Sequence, residues 1–342
     1  MENTNVCSLG YLIITDHVKA NTGEDVSDAI QKIIDENPHR TIYFPDGEYI
    51  LSKPICTPAD PRIAVSLELS CFAILRASDD WSSDEAMVRL GGKYAFNNIH
   101  LCGSNYYFKG GIIDGNKIAK GISIDSGRET LISHVSIKNT TLGIHIKRGA
   151  NSGSSDADID NVNITGNRKV GSIGVYLEGL DNTLTNMRIA AIQTGVLLHS
   201  GGNFLRNIHP LGGVKQDEPE YYANSCAFRE TTRGGNFYDS CYSDNFAVGF
   251  ESAPNAKCVY NDCFCYWYSP LGDCQVGFRA KGKFNSMIKN AKVSFNGKSE
   301  PQFNAFLQVE EEGGNGVVMF PMTPDERMED KTYKDYLFGT VI

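Results

Sequence analysis

The chain has 342 residues, 41% hydrophobic and 21% charged, which excludes a disordered chain and leaves room for a sizeable core. Its 32 Lys and Arg against 41 Asp and Glu give a net charge of -9, so nucleic acid is not an expected partner. No apolar run approaches the roughly 18 residues of a membrane span, so no membrane partner is expected either.

The opening residues, MENTNVCSLGYL, lack a basic stretch followed by a long apolar one, so the expected location is cytoplasmic. Ten cysteines include no Cys-x-x-Cys pair, and Cys263-x-Cys265 alone is a poor metal signature. Neither a metal nor a cofactor is expected, and the thiols are read as small buried hydrophobes.

Residues 26 to 37, VSDAIQKIIDEN, place Val26, Ala29, Ile30, Ile33 and Ile34 on one helical face, with Asp25 as N-cap. Strands Thr41 to Pro45 and Glu48 to Ile55 flank a turn at Pro45-Asp46-Gly47. From residue 121 a phrase recurs: small, apolar, variable, apolar. It starts at Gly121, Gly143, Gly174 and Gly195, and continues in degraded form at Ala227, Gly249, Gly277 and Ala305. The spacing varies between 21 and 32 residues, as loops of unequal length between constant strands would give. A second phrase, apolar-variable-Asn, lies between these at Asn161, Asn186, Asn207, Asn261 and Asn290, with His134 and Ser240 in the same slot.

Both phrases predict an all-β fold: a single-stranded parallel β-helix in which coils stack about 4.8 Å apart around one core. The first inward column would be Ile122, Ile144, Val175, Val196, Phe228, Phe250, Phe278 and Phe306. The asparagines would mark a tight bend. The expected organisation is one domain over 1–342: an N-terminal cap and first coil at 15–56, coils at 57–310, and a C-terminal cap or tail at 311–342.

Residues 21 to 31 (NTGEDVSDAIQ) and 41 to 51 (TIYFPDGEYIL) resemble the N-terminal signature of the pectin-lyase-like superfamily. Gly110-Gly-Ile-Ile-Asp-Gly-Asn116 resembles the coil-opening phrase of glycoside hydrolase family 28-related proteins, and residues 203 to 210 (NFLRNIHP) are similar to β-helical proteins of bacteria and phage tails. The resemblance covers residues 15 to 310. It implies a right-handed parallel β-helix and an oligosaccharide or polysaccharide partner. Its members include hydrolases, lyases, epimerases, fructan-processing enzymes and trimeric phage spikes. A homotrimer is therefore one expected assembly, and a virion-associated location follows if the chain is phage-derived. No Gly-His-Gly is present, Asp79-Asp80 falls too early, and Arg279-Ala-Lys281 stands without its companions, so no family catalytic residue is carried over.

Strand alternation gives the candidate residues instead. Ser123, His145, Tyr176, Leu197, Arg229, Glu251, Arg279 and Leu307 should face outward, followed by Asp125, Lys147, Glu178, His199, Thr231, Ala253 and Lys281. Glu251 between Arg229 and Arg279 reads either as a charge ladder or as a carboxylate held for catalysis. Glu230 falls in the inward column, where a carboxyl has a raised pKa suited to a general acid, unless the strand ends at Phe228. Glycoside hydrolysis needs two carboxyls, about 5–5.5 Å apart for retention and about 6.5–9.5 Å for inversion. The catalytic candidates are Glu230, Glu251, Asp239 and Asp244. His145, Tyr176, Glu178, His199, His209, Arg229, Arg279 and Trp267 are the candidates for holding substrate. The insertion Leu211 to Asn224 would wall the site. The expected function is cleavage of glycosidic bonds by carboxyl acid–base chemistry on the outer face. A glycan-binding spike or depolymerase, a polysaccharide lyase and a fructan or difructose-anhydride enzyme stand as alternatives.

Overall fold

A computed structural model describes residues 10–93, 107–148, 154–212, 219–268, 275–295, 303–323, 326 and 328–338. They form two compact units, 1–167 and 168–342. In both, the strands pair in parallel with their counterparts one coil away.

In the first unit the helix spans Ser27–Glu36 and buries Ser27, Ile30, Ile33 and Ile34. Ala29, expected on that face, is exposed. Val26, not Asp25, is the N-cap. Asp25 instead ties the helix start to the first coil, accepting from the Ser27 and Ser52 amides at 3.0 Å each. Burial pushes its carboxyl up, but the hydroxyls and amides of Ser27 and Ser52 outweigh this and hold it at about 2. The predicted strand 48 to 55 is two strands, Gly47–Leu51 and Ile55–Pro58. Pro54, which has no N–H to give a ladder, lies in the break. At the end of the strand Lys120–Ile124, Ser123 and the following Asp125 are drawn into an ionic network. The Ser123 hydroxyl donates to Asp125 at 2.5 Å, and Arg89 and Lys147 flank the same carboxylate.

In the second unit the recurring phrase forms the strands Ile173–Leu177, Thr194–Leu198, Cys226–Glu230, Val248–Ser252, Val276–Ala280 and Phe303–Val309. Their pairing stacks Val175 on Val196, Phe228 and Phe250, and Phe250 on Phe278. The rings of Phe228 and Phe250 lie 4.7 Å apart and nearly parallel, and Tyr238 meets both edge-on. The small residue of the phrase has a steric cause. A Cβ on Gly249 would sit 2.6 Å from the Gly277 carbonyl oxygen and 2.5 Å from Cys265 Sγ. The last coil corrects the expected columns by one residue: Leu307 pairs with Phe278, and Gln308, not Leu307, continues the outward column. Phe306 turns to the segment that covers it, where Tyr333 meets its ring at 5.4 Å and Met328 Sδ accepts its amide.

The bend phrase also holds with one correction. Asn186, Asn207, Ser240 and Asn290 adopt the left-handed backbone that a short polar side chain tolerates. In the coil between Ser240 and Asn290 it is Asp262, not Asn261, that does so, and Asn261 belongs to the strand before the bend.

Candidate functional site

The register puts Arg229, Glu251, Arg279 and Gln308 in one outward column. Arg229 Nε donates to Glu251 Oε1 at 2.8 Å and Arg279 Nη1 to Oε2 at 3.3 Å, while Arg279 Nε donates to Gln308. Glu251 is buried by these partners. Its carboxylate is thus occupied on both oxygens, the arrangement of a charge ladder rather than of a free acid or base. Elsewhere on these strands the Tyr176 hydroxyl donates to Glu178 at 3.2 Å. Burial and the Glu178 charge push that phenol to about 12. His199 Nδ1 lies 2.8 Å from the Thr231 hydroxyl. Glu178 follows a strand three coils from that of Glu251, too far to pair with it. His145 faces outward in the first unit, beside Ser123. The short helix Pro219–Ala223 of the insertion packs Tyr221 and Tyr222 into the interior, and Arg229 Nη2 clips the Asn224 carbonyl. Residues 213–218 of the insertion lie outside the described residues.

Two candidates face the interior. Glu230 ends the strand Cys226–Glu230, as alternation predicted, and is 3% exposed. Its carboxyl accepts from Asn236 Nδ2 at 2.9 Å, Tyr238 OH at 2.8 Å and Cys258 Sγ at 3.0 Å. Asn236 in turn ends a buried ladder through Asn203 to Asn182. Burial raises the pKa of Glu230 against the pull of its three donors. The carboxyl closes an internal polar chain and is out of reach of a polysaccharide, which corrects its assignment as a catalytic group. Trp267 is fully buried, with its indole N–H donated to the Phe246 carbonyl at 2.6 Å, so it offers no ring to a sugar.

Asp239 lies elsewhere, on the strands before the bend. There the outward positions of Thr183–Ala190, Phe204–Leu211, Phe237–Asp239 and Val259–Asn261 line an open groove of about 530 Å³. One column runs Thr183, Phe204, Phe237, Val259, and the next Thr185, Arg206, Asp239, Asn261. Phe204 and Phe237 stack at 4.6 Å yet remain 52% and 42% exposed. The two rings thus leave an apolar surface open on this sheet face. Arg206 Nε lies 3.4 Å from Asp239. Asn261 Nδ2 donates to Asp239 Oδ1 at 2.8 Å and to Asp262 Oδ2 at 2.8 Å. The two carboxylate oxygens therefore lie within twice that distance of each other, and both residues reach solvent. Arg206, Asn261, Asp262 and the phenylalanine pair were not among the sequence candidates. Alternation through Phe204-Leu-Arg206 would have exposed the first and last of these. Asp262 was hidden by the one-residue offset at its bend.

Asp244 and His209 come together beyond the bend. His209 Nε2 lies 3.4 Å from Asp244 Oδ2, and the imidazole stacks on Tyr242 at 4.1 Å.

No protein-family profile matches the chain, and no curated protein matches its sequence. Solved structures do match in shape. ORF18 of Geobacillus virus E2 is similar with a TM-score of 0.67 at 14% identity, over 90% of this chain and 61% of that one. The chain thus spans less than two thirds of that viral protein. An endo-xylogalacturonan hydrolase from Aspergillus tubingensis gives 0.64 at 13% identity, over 93% and 94% of the two chains. The tailspike of E. coli bacteriophage HK620 gives 0.58 at 11% identity, over 91% and 65%. With its parallel coils and these neighbours, the chain has the right-handed parallel β-helix fold of the pectin-lyase-like proteins.

Proposed function

We propose that the protein is a carbohydrate-active enzyme that hydrolyses glycosidic bonds in the groove of Arg206, Asp239 and Asn261, with Asp262 beside Asn261. The observation that carries this reading is the carboxyl pair, bridged by one amide and set beside half-exposed phenylalanine rings. Such a groove offers hydrogen-bonding groups for sugar hydroxyls and apolar edges for sugar C–H faces. Asp239, faced by Arg206, attacks the anomeric carbon. Asp262 protonates the leaving oxygen and then activates the water that releases the product. With one oxygen of each carboxylate within twice 2.8 Å of the other, the pair fits the short spacing of the retaining class, about 5–5.5 Å, better than the inverting one. The similarity to a xylogalacturonan hydrolase supports a polysaccharide substrate.

The test is a panel of fructans, neutral plant oligosaccharides and uronic-acid polymers, followed by new reducing ends and by unsaturated-uronate absorbance. Reducing ends without unsaturation are expected, with Asp239→Asn and Asp262→Asn each lowering kcat about 10²–10⁴-fold. Unsaturated products overturn the hydrolytic reading. Binding without product supports a second reading, a glycan-binding spike, which the similarity to a phage tailspike favours.

A further inference from the structure

The outward column that lines the groove changes size along its length. It runs Thr183, Phe204, Phe237, Val259 and then Met287. The rings of Phe204 and Phe237 lie within 8° of parallel, so each covers one face of the other. The second face of Phe237 looks over Val259, a side chain too short to cover it. Beyond Val259 the column rises again at Met287, which is exposed. The result is a notch one coil wide, floored by Val259 and open to solvent through the groove. Its walls belong to strands two spacings apart, about 9.6 Å. A ring in van der Waals contact with both walls needs about 3.5–4.0 Å on either side, about 7–8 Å in all.

One side of the notch is polar. Val259 and Asn261 leave the same face of their strand, and the column of Asn261 runs from Asp239 on to Lys289. The Asn261 amide holds Asp239 and Asp262 beside the floor, and the exposed Lys289 adds a donor on the far side. At the other end of the phenylalanine stack, Thr183 has Thr185 in that place. The two walls are apolar: an aromatic face and a thioether chain. They suit a ring that presents C–H bonds on both faces and keeps its hydroxyls at the edge. A pyranose with every hydroxyl equatorial has that form, and its edge meets Asp239, Asn261 and Lys289. Turning one hydroxyl axial points it at a wall, where it loses water and gains no partner.

We infer that the notch over Val259 is a subsite for one pyranose ring of all-equatorial, gluco-like configuration, held with its faces against Phe237 and Met287. This rests on the carbohydrate reading of the groove and names the class of sugar it takes. The probes are methyl β-D-glucopyranoside and methyl β-D-galactopyranoside, which differ only in an equatorial or axial hydroxyl at one carbon. Each is titrated into the full chain labelled with ¹³C-methyl methionine, and the Met287 signal, assigned with Met287→Leu, reports the wall. A saturable shift with the glucoside is expected. The galactoside should bind at least about fivefold more weakly, as for one hydroxyl buried without a partner. Val259→Phe extends the phenylalanine stack into the notch, at a strand position that suits an aromatic, and should abolish the shift. An unsaturable response to the glucoside overturns the inference, as does equal or reversed affinity for the two sugars, and neither result depends on a variant. An unchanged response in a folded Val259→Phe variant overturns it too. Glucoside binding in a protein that cleaves no glycan counts against the hydrolytic reading alone. Cleavage without the preference between the two sugars counts against the subsite alone.

Discussion

Replacing Glu230 tests whether the interior polar chain is built around that carboxyl. In Glu230→Ala the Tyr238 hydroxyl loses its acceptor in a site with no solvent, while Asn236 keeps the Ser200 carbonyl at 3.0 Å. An orphaned buried hydroxyl costs about 1–3 kcal/mol, and the vacated volume adds a cavity cost, so a loss of about 3–5 kcal/mol is expected. The Cys258 thiol, a weak donor, adds little. Glu230→Gln keeps the shape: its amide oxygen accepts from Asn236 and Tyr238, and its NH₂ faces Cys258 Sγ. The pH dependence distinguishes the two forms of the native carboxyl. Burial raises its pKa in the folded chain above the ordinary value of 4.5. Its contribution is therefore full below pH 4.5 and is lost as pH rises through the raised value. The advantage of wild type over Glu230→Gln should shrink from pH 4 to pH 8 in urea unfolding followed by near-UV circular dichroism. A gap that widens toward alkaline pH, or an alanine variant within 1 kcal/mol of wild type, refutes the reasoning.

Gly249→Val should cost more than about 2 kcal/mol in the same assay, because its Cβ meets the Gly277 carbonyl and Cys265 Sγ at 2.6 and 2.5 Å. Glu251→Gln should cost about 2–4 kcal/mol, since it leaves Arg229 and Arg279 facing each other without their shared anion. Thiol labelling of the native protein, read by peptide mass mapping, should modify Cys71, which is exposed, and spare Cys226 and Cys241 until unfolding. Burial pushes both of those thiols to about 12, which removes the reactive thiolate.

Much of this architecture is legible in the chain because stacked coils repeat their steric demands. Small residues recur where a Cβ would strike the next coil, and apolar ones recur where alternation turns them inward. The column from Val175 to Phe278 follows from that alone. It fails at Phe306, where a covering segment replaces a further coil and a large ring fits the small slot. Glu230 was legible as inward-facing but not as satisfied, because its donors Asn236, Tyr238 and Cys258 come from three other positions in the stack. Trp267 follows the same parity as the buried Cys265, a cue that its aromatic character obscured. The groove was least legible. Its carboxyl pair depends on which of Asn261 and Asp262 takes the left-handed bend, and both residue types tolerate that backbone.

The stereochemistry of cleavage tests the central claim most directly. On the glycan that yields reducing ends, the anomeric proton of the first-formed product is followed by ¹H NMR before mutarotation. Retention of configuration, abolished in both Asp239→Asn and Asp262→Asn, is the predicted result. Inversion, or retention that survives in either variant, contradicts the assignment of that pair.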